Sequence, residues 1–188
     1  FLEIRPRPRA YTRMRGLVWL EGDLSFSAVR KRFGGQPTRY PFDQGERAVV
    51  KVEGDGVLRL HGGPDKFQLV RHEQRPGYYL EEHVFAFGDT DGWENGRLPF
   101  EQEDHLPIFH LRGTTELVLA APGPLRTKSI EEGEGRFLLD VRRLVGWSGD
   151  LLPRLVRPER PLPGGLWIEL SGRGEVLYLG GQEGTVPP

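Results

Sequence analysis

Cysteine is absent from this 188-residue sequence, which also contains a single Met and a single Asn. Without cysteine, a disulfide framework, a thiolate zinc site and a cysteine nucleophile are excluded. A reducing, cytoplasmic location is the expectation for such a chain. Few Asn, Cys and Met residues are also typical of thermophilic proteins, although the excess of Arg over Lys, 22 against 4, equally suits a genome of high GC content.

Long hydrophobic runs and a net charge of one sign are lacking too. The longest apolar runs, such as residues 117–122, are far shorter than the roughly 18 residues that cross a bilayer, so no transmembrane segment is expected. With 26 basic and 27 acidic residues, the chain has neither the excess of a generally basic nucleic-acid binder nor that of a strongly acidic protein. A charged partner would have to bind a local patch.

Helical periodicity is nearly missing as well. The best helix candidate is Ala28–Phe33, only a turn or two long, whereas Arg136–Val145 fits a helix or a strand equally well. Elsewhere, short β-type runs alternate with clusters of Gly and Pro. Such runs at a spacing of roughly 8 to 12 residues are typical of an all-β sandwich or barrel. Because 37% of the residues are hydrophobic, we predict a folded all-β protein with a core.

An internal repeat of 59 residues organises the predicted strands. Three segments superpose without a gap, namely Val49–Gly54, Ile108–Gly113 and Trp167–Gly172. Each has two apolar residues, a polar one, an aliphatic one, another polar one and Gly, and a second short strand follows. The Gly between the paired strands fits a hairpin or bulge position that requires a positive φ.

The rest of the chain repeats too. Pro76–Gly88 matches Glu134–Gly146 at an offset of 58, and Leu17–Leu24 matches Leu144–Leu151 at an offset of 127. We therefore predict one compact β-domain over residues 1–188, made of three pseudo-symmetric repeats. These are residues 1–48 completed by residues 166–188, residues 49–107, and residues 108–165. The completion is a hypothesis, motivated by the open sheet edges that an unpaired strand at each terminus would leave.

The glycine and apolar patterns of these repeats resemble the altered-inheritance-of-mitochondria twenty-four (AIM-twenty-four) family. The resemblance covers nearly the whole chain, in Tyr11–Phe26, Val50–Leu60, Pro76–Phe87, Arg112–Leu119, Gly133–Leu155 and Gly165–Leu179. It implies three similar subdomains, each like the Trp-RNA-binding attenuation protein (TRAP-like), a short variant of the double-stranded β-helix, which often associate into oligomers. It implies no enzyme activity and brings no catalytic residue.

The residues themselves do not form a catalytic, cofactor or metal motif. No His-x-His pair occurs, and the neighbours in Glu82-His83 and Asp104-His105 would point to opposite faces of a strand. The segment around Ser148 lacks the second spacer of Gly-x-Ser-x-Gly. We therefore predict no catalytic residue, no cofactor and no metal, and a cupin-like metal-dependent enzyme is the least favoured alternative.

An arginine stripe is the sharpest electrostatic feature. Its members all occupy odd positions, so an extended segment would place them on one face: Arg5, Arg7, Arg9, Arg13 and Arg15. Such a face would suit an anion, either RNA or an anionic phospholipid surface. The favoured alternative is a solvated strand edge protected by charge, or an edge that pairs with acidic residues of a neighbouring subunit.

Trp93 is the aromatic residue with the strongest turn signals beside it. Asp-Gly and Asn-Gly pairs flank it and predict an exposed loop tip, which makes Trp93 a candidate for partner contact. Taken together, the repeats and the resemblance predict a non-enzymatic oligomeric scaffold or interaction module, a homo-oligomer of three or more copies. An anion-binding module that uses the arginine stripe is the alternative.

Overall fold

The computed structural model describes residues 1–90, 92–100, 104–157 and 165–180. This part of the chain forms sixteen β-strands and three short 3-10 turns, and it contains no α-helix. The all-β prediction is confirmed. The strands are β1 (Leu2–Ile4), β2 (Arg9–Arg13), β3 (Leu17–Ala28), β4 (Arg30–Phe33), β5 (Gln36–Pro41), β6 (Val49–Leu60), β7 (Lys66–His72), β8 (Gly77–Leu80), β9 (Val84–Gly88), β10 (Trp93–Phe100), β11 (Asp104–Leu111), β12 (Thr115–Ala121), β13 (Leu125–Ile130), β14 (Phe137–Asp140), β15 (Leu144–Val156) and β16 (Trp167–Leu179). The 3-10 turns are Gly45–Arg47, Glu81–His83 and Val141–Arg143.

The strands form two seven-stranded antiparallel sheets and one small hairpin. In the first sheet the order is β1-β6-β2-β9-β12-β7, and β3 pairs with the other edge of β6. In the second sheet the order is β10-β11-β8-β15-β16-β13, and β14 also pairs with β16. Strands β4 and β5 form the hairpin.

The 59-residue repeat is visible in the register of three bulged ladders. Strands β3, β9 and β15 each carry a bulge and pair with β6, β12 and β16. At the bulge, Leu17 lies opposite Leu60, Val84 opposite Leu119, and Leu144 opposite Tyr178. The three partner residues on β6, β12 and β16 stand 59 positions apart, so the predicted period is confirmed. A bulge bends a strand and increases its twist, and the same bend therefore recurs in every repeat.

The offset between the second and third copies of the bulged strand differs from the sequence match. The preceding 3-10 turns begin at Glu81 and Val141, and the bulges fall at Phe85 and Val145. Both features give an offset of 60, whereas the sequence match gave 58. The difference arises because the apolar pattern of these short runs has a period of two, so a shift of two residues preserves it.

Grouped by their ladders, the strands form three consecutive units: β1–β6, β7–β12 and β13–β16. The sequence analysis instead completed the first repeat with residues 166–188. In the described part of that segment, β16 pairs with β13, β14 and β15, and strands β1–β3 pair with β6 and β9. The ladders among the described residues thus do not join the two ends of the chain. Residues 181–188 lie outside the described part, and the predicted division stays a prediction.

The middle unit crosses from one sheet to the other. Strands β3, β6, β15 and β16 are continuous over 12 or 13 residues. Their counterparts in the middle unit are split into β9 and β10 and into β11 and β12, with one half in each sheet. The interruption on the second of these strands falls at Gly113, which has a φ of 79°. The middle unit therefore connects the two sheets.

The best helix candidate, Ala28–Phe33, does not form a helix. Ala28 ends β3, Val29 N–H donates to Val49 C=O at 3.3 Å, and Arg30–Phe33 forms β4. Pairing with other strands overrides the weak local helical pattern, which is too short to be stable on its own. The ambiguous segment Arg136–Val145 contains strand β14, a 3-10 turn and the start of β15.

Three clusters of buried side chains make up the core. One draws on both sheets and contains a stack of Phe42, Trp93 and Phe109, whose ring centroids lie 5.7 to 5.9 Å apart. A second cluster belongs to the second sheet and is centred on Trp147 and its neighbours. The third belongs to the first sheet and includes Phe85. Phe87 of the first sheet contacts the rings of Trp93 and Phe109 of the second, and such aromatic contacts add to the stabilisation from apolar burial.

Candidate interaction surface

Strand β3 exposes large apolar side chains at its start and near its end. Five of them define what we call the β3 surface: Leu17 (38% exposed), Val18 (53%), Trp19 (38%), Leu20 (47%) and Phe26 (42%). Leu24 packs partly against the core of the first sheet. Single exposed apolar residues are common, but a contiguous group on one strand is typical of an interaction site.

The equivalent strand of the third unit buries the same positions. At the offset of 127, Leu17, Val18 and Leu20 correspond to Leu144, Val145 and Trp147, which are 0%, 0% and 3% exposed. Strand β15 carries β16 on one edge and β8 on part of the other. Strand β3 has a ladder with β6 along one edge only, among the described residues. The repeat thus supplies an apolar strand in each unit, and β3 is the copy that is left uncovered.

The second edge of β3 presents backbone groups as well as side chains. Because Val29 N–H donates to Val49 C=O and antiparallel ladders alternate, the odd residues 19–27 bond to β6 and the even residues 20–28 face away. Unpaired N–H and C=O groups on an edge strand are a template for pairing with another strand. Edge strands that avoid such pairing usually carry Lys, Pro or inward charges, whereas the β3 surface is apolar.

A groove of about 770 Å³ lies beside the β4–β5 hairpin. It is lined by charges of both signs, four of which form two ion pairs, Lys31 with Glu81 and Arg47 with Asp43. Lys31 Nζ lies 2.6 Å from Glu81 Oε2, and the Asn95 amide donates to Glu81 Oε1 at 2.7 Å. These contacts tie the hairpin to the turn after β8. The arrangement is that of a structural network.

Arg13 is the centre of this network. The whole residue is only 1% exposed. Its guanidinium donates to the backbone carbonyls of Val84 at 2.8 Å and Glu81 at 2.9 Å, and to Asp43 Oδ2 at 2.6 Å. It also donates to the Arg47 carbonyl. Burial lowers the pKa of Arg13, while Asp43 opposes that shift. Burial alone would raise the pKa of Asp43, but the bond from Arg13 holds it below its ordinary value.

The other members of the arginine stripe are placed in different surroundings. Arg9 pairs with Asp89, and Arg15 lies 2.9 Å from Asp65 and over the ring of Phe85. Arg5 and Arg7 are exposed between β1 and β2. The structure therefore does not gather the five arginines on one open face, because Arg13 is buried and Arg9 and Arg15 have acidic partners. Binding of RNA or phospholipid stays a prediction.

Trp93 is not exposed, so this part of the prediction is wrong. It is 2% exposed, begins β10 and belongs to the core cluster that draws on both sheets. The guanidinium of Arg32 lies 5.2 Å from its ring centroid. The Asn-Gly pair that predicted a turn lies within β10, where the Asn95 amide donates to Glu81 Oε1, and Asp91 lies outside the described residues.

A buried histidine ends β7, and a half-buried one lies in β11. His72 is 4% exposed, its Nδ1 lies 3.1 Å from the Tyr79 hydroxyl, and the ring of His110 stacks on Tyr78 at 4.5 Å. Burial lowers the pKa of both histidines, and Arg112 lowers that of His110 further. Burial also raises the pKa of Tyr79 to about 12. Among the described residues, no group of three or more His, Asp or Glu is placed to hold a metal ion.

Sequence reasoning missed the β3 surface, since β3 and β15 have matching apolar patterns and the pattern does not report which copy is covered. The only signal was indirect. The match of Leu17–Leu24 to Leu144–Leu151 identifies β3 as a further copy of the apolar strand, but it does not indicate what covers that strand.

The fold and this surface define an all-β protein of three similar units. Its fold is similar to that in the X-ray crystal structure of protein SPYM3_0169 from Streptococcus pyogenes, a structural genomics target, with a TM-score of 0.68. That similarity covers 95% of this chain and 86% of the other at 13% sequence identity, so it concerns the fold alone. No protein-family model matches the sequence. No curated protein matches it either. In the described residues, no helix is long and apolar enough to cross a membrane.

Proposed function

We propose that this protein is a non-enzymatic scaffold that assembles with further copies of itself into a homo-oligomer of three or more chains. The observation that supports the proposal best is the β3 surface, whose Leu17, Val18 and Leu20 are exposed although their counterparts in the other two units are buried. Apolar side chains and an open strand edge on the same element are the two features that favour strand pairing between chains.

We also propose membership of the AIM-twenty-four family with its TRAP-like subdomains. The support is the set of matching segments in the sequence, together with a fold of three similar units whose bulged ladders repeat every 59 residues. A role in assembly is consistent with both observations, and the paired charges in the groove beside the β4–β5 hairpin give no support to catalysis there.

Sedimentation velocity over a range of concentrations tests the assembly. Wild-type protein is expected to sediment as an oligomer, and Leu20→Glu is expected to shift it toward monomer because it places a charge in the β3 surface. The matched control is Leu152→Glu in β15, a leucine that is 72% exposed and lies outside the β3 surface. A wild-type chain that stays monomeric at every concentration would overturn the proposal, as would equal effects of the two substitutions.

A further inference from the structure

The three units are joined in the chain by two ladders that have the same register. Strand β2 of the first unit pairs with β9 of the second, and β8 of the second pairs with β15 of the third. The opposed residues are Ala10 and Gly88, Tyr11 and Phe87, Thr12 and Ala86 in the first ladder, and Gly77 and Ser148, Tyr78 and Trp147, Tyr79 and Gly146 in the second. These pairs are equivalent when the units are aligned on their bulges. Each unit therefore offers one short strand to the bulged strand of the unit that follows it.

The third ladder of this series is missing in the described chain. The short strand of the third unit is β14, and it pairs with β16 along one edge only. The bulged strand of the first unit is β3, whose second edge is also unpaired among the described residues. The bulged strand of the first unit, β3, and the short strand of the third unit, β14, are therefore the two strands that lack this partner among the described residues.

Resting on the proposed assembly, we infer that β14 of one copy adds to the second edge of β3 in the next copy. Transferring the register of the two existing ladders places Leu138 opposite Leu20. Leu139 then lies opposite Trp19, and Phe137 lies opposite Glu21. The partner of the β3 surface is a second copy of this chain, bound head to tail.

The backbone hydrogen bonds agree with this register. Val141 N–H donates to Leu166 C=O at 3.1 Å, in register with the β14–β16 ladder, so Leu138 directs its N–H and C=O away from β16. Leu20 directs its own groups away from β6 by the same alternation. The two leucines would then form a hydrogen-bonded pair. Their equivalents do so within the chain, because Gly149 N–H donates to Pro76 C=O at 3.1 Å, two residues from the Trp147–Tyr78 pair.

The apolar side chains fit this register as well. Leu138 and Leu20 would lie on one face of the combined sheet, and Leu139 and Trp19 on the other. The same register therefore satisfies the backbone groups and the apolar side chains.

A head-to-tail contact uses two different surfaces of each chain. It therefore builds a closed ring if the rotation between copies closes, or a filament if it does not. A pairing of β3 with β3 of a second copy would instead stop at a dimer. The two arrangements predict different cross-links.

Single-cysteine variants test the inference, because the chain contains no cysteine of its own. Leu20→Cys and Leu138→Cys are prepared separately, mixed at a concentration where wild type sediments as an oligomer, and oxidised. Directly opposed strand residues lie within the Cα separation that a disulfide tolerates. A disulfide-linked dimer is expected in the mixture and not in either variant by itself. The control mixture of Leu20→Cys with Leu152→Cys is expected to stay uncross-linked.

Each outcome separates the inference from the proposed function. A cross-linked dimer of Leu20→Cys with itself would show β3–β3 pairing and overturn the head-to-tail contact, as would an oligomer that gives no cross-link in the mixture. A monomeric wild-type chain would overturn both proposals.

A second variant guards against loss of folding in Leu138→Cys. Leu138→Pro removes the leucine side chain and also the outward N–H of β14, at a position where an edge strand tolerates proline. Added to wild type, it is expected to shorten the assemblies, since it still accepts a neighbour on β3 but cannot add its own β14 to another copy. Leu138→Ala removes the same side chain and keeps the N–H, so it is expected to shorten the assemblies less, and an equal effect of the two would overturn the inference.

Discussion

At the scale of single residues, Arg13 shows how the fold uses a buried charge. It lies on β2 among four acceptors from three other parts of the chain: the turn after β8, the start of β9 and the loop after β5. A guanidinium suits this place because its donors are fixed in a planar fork. The sequence pattern placed Arg13 on a binding stripe, whereas in the structure it is a buried residue that connects three parts of the chain.

Replacing this side chain is expected to destabilise the protein strongly. Arg13→Ala removes a donor from three carbonyl groups, those of Arg47, Glu81 and Val84, and the partner of the Asp43 carboxylate, so it should lower the free energy of unfolding by about 3 to 5 kcal/mol. Arg15→Ala removes a partly exposed ion pair with Asp65 and should lower it by less than about 1 kcal/mol. Urea unfolding measures both. Similar losses in the two variants would contradict the role assigned to Arg13.

At the scale of strands, the repeated glycines mark where two long strands approach each other closely. Gly54, Gly113 and Gly172 have φ values of 116°, 79° and 105°, so the predicted positive φ is confirmed at all three. A Cβ atom at Gly54 would lie 2.1 Å from Asp23 O, and one at Gly172 would lie 2.4 Å from Asp150 O. At Gly113 a Cβ atom would meet nothing within 4 Å.

This difference separates conformational strain from steric overlap. Gly113→Ala should cost about 1 to 2 kcal/mol, since a non-glycine residue there only has to adopt a positive φ. Gly54→Ala and Gly172→Ala should cost about 3 kcal/mol or more, because the methyl group also forces the paired backbones apart. Chemical denaturation of the three variants checks the order. A Gly113→Ala variant as unstable as the others would argue against close approach as the cause.

The sequence predicted strand positions where the 59-residue repeat is clear. It did not predict them where the middle unit crosses from one sheet to the other. The period of 59 fixed the spacing of β6, β12 and β16, because each keeps the same partner register. The helix candidate Ala28–Phe33 does not form a helix, since pairing across the chain outweighs a local pattern. The burial of Trp93 was not predictable either. Its environment depends on the crossing of the middle unit between sheets, which the turn residues beside it do not report.

At the scale of the whole molecule, the fold is an open series of three units. The two inner junctions are closed by β2–β9 and β8–β15, and the outer strands β3 and β14 keep one edge unpaired in the described chain. The sequence shows that the three units are similar, but similarity does not specify whether the last unit returns to the first. That depends on the angle between units, which arises from strand twist and bulges summed over the chain.

Amide hydrogen exchange along β3 tests the assembly through this edge most directly. The N–H groups of odd residues 19–27 bond to β6, so they should be protected in monomer and assembly alike. Those of Leu20 and Gly22 face the second edge and should become protected only when the concentration is high enough for assembly. Residue-resolved exchange at low and high concentration is therefore expected to slow at Leu20 and Gly22. Unchanged fast exchange at both residues in the assembled protein would contradict the account.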